Sequence, residues 1–113
     1  MDAELPLLKG TVDMLVLKAL SWGPMHGFGI SQWLETRTDG RLGLDDSSMY
    51  QVLHRLEGRG FVEAKWQITD NNRRARFYKL TAAGRAQLKA QTATWMRYSE
   101  VLTALLTSRT RTA

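Results

Sequence analysis

Apolar residues recur along this chain first with a helical period, then with a strand period, then with a helical period again. Val12, Leu15, Val16, Ala19 and Leu20 form one stripe of a first helix, with Thr11 as its expected cap. Met14 and Leu17 make a second apolar face of that helix. Trp22-Gly23-Pro24 stops it, because Pro24 disfavours helical geometry at Gly23. A second helix is predicted from about residue 26 to residue 36, burying Ile30, Trp33 and Leu34, with Gly27 and Gly29 suggesting a close approach to the first helix. Residues 38–44 read as a loop. Asp45 or Asp46 then caps a third helix in which Met49, Val52, Leu53 and Leu56 fall at i, i+3, i+4 and i+7. Gly60 ends that helix, and the segments FVEAKWQI and RARFYKL read as two strands joined at Asp70-Asn71-Asn72. Thr81 caps a fourth helix that begins at Ala82 and runs to about Ser108. The first ten residues form a loose lead-in, and the last six are polar.

The expected fold is mainly α with a small β-hairpin: a winged helix-turn-helix over residues 1–81, followed by a long C-terminal helix and polar tail over residues 82–113. In the last helix Leu88, Trp95 and Leu102 stand seven apart, with Tyr98 and Leu105 in the intervening places and Gln91 the polar exception. That seam is longer than three short helices and a hairpin can cover. A second copy of the chain is its expected cover, with Met14 and Leu17 also set against the partner.

The third helix carries the candidate chemistry. Opposite its apolar side stand Ser47, Gln51 and His54, flanked by Ser48, Tyr50 and Arg55. Gln and Arg can engage base edges bidentately, whereas Ser, Tyr and His more often reach phosphates. Arg73, Arg74 and Arg76 follow the hairpin turn, where arginine can enter a narrow minor groove or clamp phosphates. The ordinary role of such residues is a solvated helix face and a basic edge strand. Charge placement favours the sharper reading. The chain is +5 overall, but residues 1–50 hold four Lys/Arg against seven Asp/Glu, residues 51–89 nine against three, and residues 90–113 three against one. The basic block therefore coincides with the third helix and the hairpin, as a polyanion-binding surface requires.

With no cysteine, thiolate catalysis, disulfides and Cys-based zinc sites are excluded. His26 and His54 are the only histidines and are predicted on different elements, so no metal site is expected, and no cofactor. The glycines at 23, 27 and 29 match no phosphate-binding pattern, and no nucleophile has an orienting base, so the chain does not read as an enzyme. Acidic residues stand where a signal peptide needs lysines and no apolar run approaches a membrane span, so the expected compartment is the cytoplasm.

These residues together resemble the PadR family of bacterial transcriptional regulators. The resemblance covers roughly residues 7–108. It is most specific in His26-Gly27-Phe28-Gly29-Ile30, in Met49-Tyr50 with Leu53-His54-Arg55-Leu56-Glu57, and in Arg73-Arg74 with Tyr78, Leu80-Thr81 and Gly84. Phe28 stands where many members have tyrosine. The resemblance implies a short-form member with a single helix after the wing, a homodimer, and repression of a nearby operon at a pseudo-palindromic site in double-stranded DNA. It also implies a place for a planar aromatic effector against Trp95, with Tyr98 beside it, although plain packing at the seam is the ordinary role of both. The alternative from another class is a winged helix that docks a protein instead of DNA, and the arginines of the wing tip speak against it.

Overall fold

The chain is described by a computed structural model covering residues 5, 7, 8 and 10–111. Its elements are α1 (Val12–Leu20), β1 (Met25–His26), α2 (Gly27–Arg37), α3 (Asp46–Gly58), β2 (Val62–Ile68), β3 (Arg74–Leu80) and α4 (Ala82–Leu106). The three strands form one antiparallel sheet in the order β1-β3-β2. This is a winged helix with a long helix appended, as the periodicity predicts. Residues 1–4, 6 and 9 of the expected lead-in, and the last two residues of the tail, lie outside the described residues.

The buried core is built by α1, α2, α3, β2 and β3: Val16, Leu17 and Leu20 meet Ile30, Leu34, Met49, Leu53 and Leu56, closed by Val62, Tyr78 and Leu80. No polar or charged residue is buried as a whole among the described residues. Leu17 sits wholly inside this core, which corrects the expectation that it faces a partner: it has no surface left to offer. Trp33 is only half-buried at the core's edge. Thr11 does not cap α1 with its side chain; its hydroxyl donates back to the Leu8 carbonyl at 2.7 Å.

β1 is the element that periodicity missed. It is two residues long and exists through pairing, Met25 opposite Tyr78 and His26 opposite Phe77. This strand leads directly into Gly27. His26 then caps α2, its Nδ1 accepting from the Gly29 amide at 2.9 Å. The two glycines of that turn approach neighbours other than α1: a Cβ on Gly27 would meet Met49 and Leu53 of α3, and one on Gly29 would meet His26 at 3.0 Å.

The end of α3 and the start of α4 are joined at one corner. Gly60, at φ +78°, lets its own amide bond the Glu57 carbonyl and the Phe61 amide bond the Leu56 carbonyl, both at 3.0 Å, a Schellman ending. The Phe61 carbonyl accepts from the Thr81 amide at 3.1 Å. The Thr81 hydroxyl donates to the Gly60 carbonyl at 2.6 Å and accepts from the Gly84 amide at 3.0 Å, so the cap of α4 is also its anchor. From this corner α4 runs for about 38 Å at 1.5 Å per residue. It buries only Gly84 fully, which is why the radius of gyration is 16.6 Å rather than the roughly 13 Å of a compact chain of this length.

Gly84 is fixed by space: a Cβ there would lie 1.9 Å from the Phe61 carbonyl oxygen. Gly84→Ala should lower the urea midpoint by an amount equivalent to about 1–3 kcal/mol or more. Gly58, with nothing within 4 Å of its would-be Cβ, is the control, and Gly58→Ala should instead stabilise by about 0.4–1 kcal/mol. Equal and small effects at both positions would contradict the close approach.

Candidate nucleic-acid interface

The outer face of α3 is set by its inner one. Burial of Met49, Val52, Leu53 and Leu56 turns Ser47, Tyr50, Gln51 and His54 outward, and all four are exposed. Asp45 rather than Asp46 is the cap: its Oδ1 accepts from the Ser48 amide at 2.7 Å. That bond holds the Asp45 carboxyl below the usual aspartate range, and Ser48 is half-buried. Tyr50 and His54, one turn apart, stack with ring centroids 5.9 Å apart and 15° between planes, which orders two long polar side chains before any ligand arrives.

Arg55 is placed differently from expectation. Its Nε, at 3.3 Å, and its Nη2 donate to the two carboxylate oxygens of Asp13 on α1, and this hydrogen-bonded pairing raises its pKa above the ordinary arginine value. Arg55 thus lies on the flank of α3 that faces α1, already engaged.

The wing closes over Thr69. Its amide donates to the Arg73 carbonyl at 2.7 Å, its hydroxyl accepts from the Arg73 amide at 3.2 Å, and Asn72 takes the left-handed conformation at φ +61°. Arg73 and Arg74 are exposed beside this tip and make no ion pair among the described residues. Arg76 is drawn inward: Nη2 donates to Glu57 of α3 at 2.9 Å and the guanidinium lies over the Tyr78 ring. Of the arginines singled out from sequence, two make no ion pair among the described residues and two are braced by carboxylates.

Sequence reasoning missed Trp66 and Ile68. In β2 the face that starts with Val62 and Ala64 against the core continues as Trp66 and Ile68, and beyond the reach of α3 these are 57% and 61% exposed. The register sets Trp66 opposite Arg76 and Ile68 opposite Arg74, and the Arg74 guanidinium sits 4.9 Å above the Trp66 ring. The signal was available: four apolar residues at period two make a stripe longer than one short helix can cover. Phe28, 65% exposed at the start of α2, borders a groove of about 380 Å³ with Tyr50 and Arg76.

Along α4, the seam divides. Leu88 packs against the core, Trp95 is half-buried with Tyr98 at 6.4 Å, and Tyr98, Leu102 and Leu105 are exposed together with Val101 and Leu106. Trp95 and Tyr98 wall a cavity of about 390 Å³ with Thr11, Met14 and Gln91. The Gln91 Oε1 is buried without a hydrogen-bond partner. No group of three or more metal-ligating side chains forms among the described residues, and no helix among them is long and apolar enough to cross a membrane.

Comparison with known proteins places this geometry. The sequence model of the Transcriptional regulator PadR-like family matches residues 16–90. An uncharacterized protein X of Lysinibacillus sphaericus is 24% identical over 96 residues, covering 85% of this chain and 88% of that protein. The crystal structure of smu.1704 from Streptococcus mutans is similar at a TM-score of 0.81 and 25% identity, over 96% of this chain and 98% of that one. The structure of Bacillus subtilis PadR in complex with operator DNA is similar at a TM-score of 0.66 and 21% identity, over 73% of this chain and 46% of that one.

The Asp45 cap carries a pH signature. Its folded-state pKa is lowered, so its contribution to stability is fully present above the unfolded pKa and is lost as pH falls through the folded one. Asp45→Asn keeps a capping acceptor without that titration. The variant's denaturation midpoint should therefore decline less steeply than wild type below about pH 5. Parallel acid limbs for the two proteins would show that Asp45 is not linked to folding.

Proposed function

Because the chain belongs to the PadR-like family of transcriptional regulators, we propose that it binds double-stranded DNA as a homodimer and represses transcription from a pseudo-palindromic operator, in the cytoplasm. The observation that carries this reading is the pairing of an exposed polar face on α3 with two unpaired arginines at the wing tip, on the fold it shares with a regulator solved on operator DNA. In this reading residues 1–81 are the DNA-binding domain and residues 82–113 the dimerisation element.

Each part then has a job set by its chemistry. α3 enters the major groove, where Gln51 can bond an adenine edge bidentately. Ser47, Ser48, Tyr50 and His54 reach phosphates or base edges around it, the stacked Tyr50 and His54 as one unit. Arg73 and Arg74 neutralise backbone or enter the adjacent minor groove, and Trp66 holds Arg74 in a presented position. Tyr98, Leu102 and Leu105 pair α4 with a second copy, with Met14, Leu88 and Trp95 at the inner end of the seam. Two recognition helices are then carried one DNA turn apart, about 34 Å. The cavity beside Trp95 and Tyr98 has the size of a small-molecule site and is the place for a planar aromatic effector.

Anisotropy titrations of the DNA upstream of the chain's own gene test the reading. Log affinity should fall with log salt at about −0.9 per phosphate contacted. Arg74→Ala should weaken operator and random DNA alike, whereas Gln51→Ala should lose roughly 1–3 kcal/mol of discrimination between them. A flat salt response would favour a protein-docking winged helix instead.

Leu102→Asp would put an unpaired charge into the seam. It should shift the sedimentation coefficient of the wild-type dimer to that of a monomer and weaken operator binding with it. A wild-type chain that sediments as a monomer at micromolar concentration yet binds operator tightly would refute pairing through α4.

A further inference from the structure

Asp13 and Arg55 are 42 residues apart in sequence and meet fork to fork, one guanidinium taking both oxygens of one carboxylate. The Asp13 side chain is only 17% exposed, in the first turn of α1, while Arg55 is 49% exposed and stands one turn beyond Gln51 on α3. A phosphate approaching this flank finds a cation whose charge is already cancelled, and it would have to displace a bidentate carboxylate to reach it. Resting on the DNA-binding reading above, we propose that Asp13 is a specificity-determining residue: it holds Arg55 off the DNA backbone and fixes α3 against α1.

Two considerations carry this. The first is energetic. A cation that reaches a phosphate adds affinity for every sequence equally, since counterion release carries no sequence information. An arginine beside the reading face is thus a liability to discrimination unless it is occupied. The opposite flank of α3 is treated in the same way, Glu57 holding Arg76 at 2.9 Å. The second is positional. Thr11 and Met14, on either side of Asp13, wall the cavity against Trp95 and Tyr98 of α4. The ion pair therefore ties the recognition helix to the part of α1 that packs on the long helix, and it orients α3 relative to the seam.

The test compares Asp13→Asn, Arg55→Gln and the double variant for binding to operator and to random DNA across a salt series. Asp13→Asn should raise random-DNA affinity, steepen its log–log salt slope by about 0.9 for each phosphate gained, and narrow the ratio of operator to random affinity. Asp13→Glu, which keeps the charge, should hold the random-DNA slope near that of wild type. Arg55→Gln should leave the random-DNA slope unchanged, and the double variant should behave as Arg55→Gln. Urea midpoints of all four variants separate lost folding from lost binding, and non-additive unfolding free energies for the pair would mark their direct coupling. If Arg55→Gln alone flattens the slope by about 0.9, Arg55 already contacts a phosphate and the proposal is overturned while DNA binding stands. A wild-type chain with no DNA affinity at low salt would overturn both.

Discussion

The corner between α3 and α4 governs the rest of the molecule. The Phe61 carbonyl serves two constraints at once: it accepts the Thr81 amide, and it occupies the space into which any side chain at position 84 would grow. Thr81 adds a bond to Gly60 and a bond from Gly84, so four residues lock the end of α3, the base of the wing and the root of the long helix together. A small angular error there is multiplied along some 38 Å of helix. In the proposed dimer, the spacing of the two α3 helices would therefore be decided at these few backbone atoms.

Around that corner the arginines fall into two populations. Arg55 and Arg76 are absorbed into ion pairs with Asp13 and Glu57, on opposite flanks of α3, and act within the protein. Arg73 and Arg74 remain outside any ion pair among the described residues, at the tip of a hairpin whose turn is closed by Thr69. Net charge alone cannot separate these groups. Of the nine cations in this basic segment, two brace α3 and two form a small cationic point at the wing tip.

What could be read from the chain follows from the range of the interaction responsible. The helices and the hairpin were legible because their periods are local, and the caps Thr81 and, as one of two candidates, Asp45 because a cap reaches only three residues ahead. β1 was not legible: Met25 and His26 have no period of their own and become a strand only by lying beside β3, some fifty residues later. The same reason hid the partners of Arg55 and Arg76, which are 42 and 19 residues distant. Leu17 was misread because two apolar faces on one helix imply two neighbours without saying whether both are internal; α1 lies central enough that its second face is core. Thr11 does not cap because its backbone is already near-helical (φ −98°, ψ −21°), without the extended geometry from which Asp45 and Thr81 reach an amide three residues ahead. Trp66 and Ile68 were visible as strand residues, but their exposure depends on where α3 stops.

The apolar end of α4 has a consequence for dosage. Val101, Leu105 and Leu106 are more than two-thirds exposed in the single chain or close to it, so their burial through the proposed pairing is a bimolecular event governed by how many copies a cell holds. Below the concentration at which chains pair, the number of operator-competent units rises with the square of the chain count rather than in proportion to it. A twofold change in synthesis then becomes about a fourfold change in the paired form by mass action. A regulator that paired this way would respond to its own abundance more steeply than in proportion, through the greasiness of less than two helical turns.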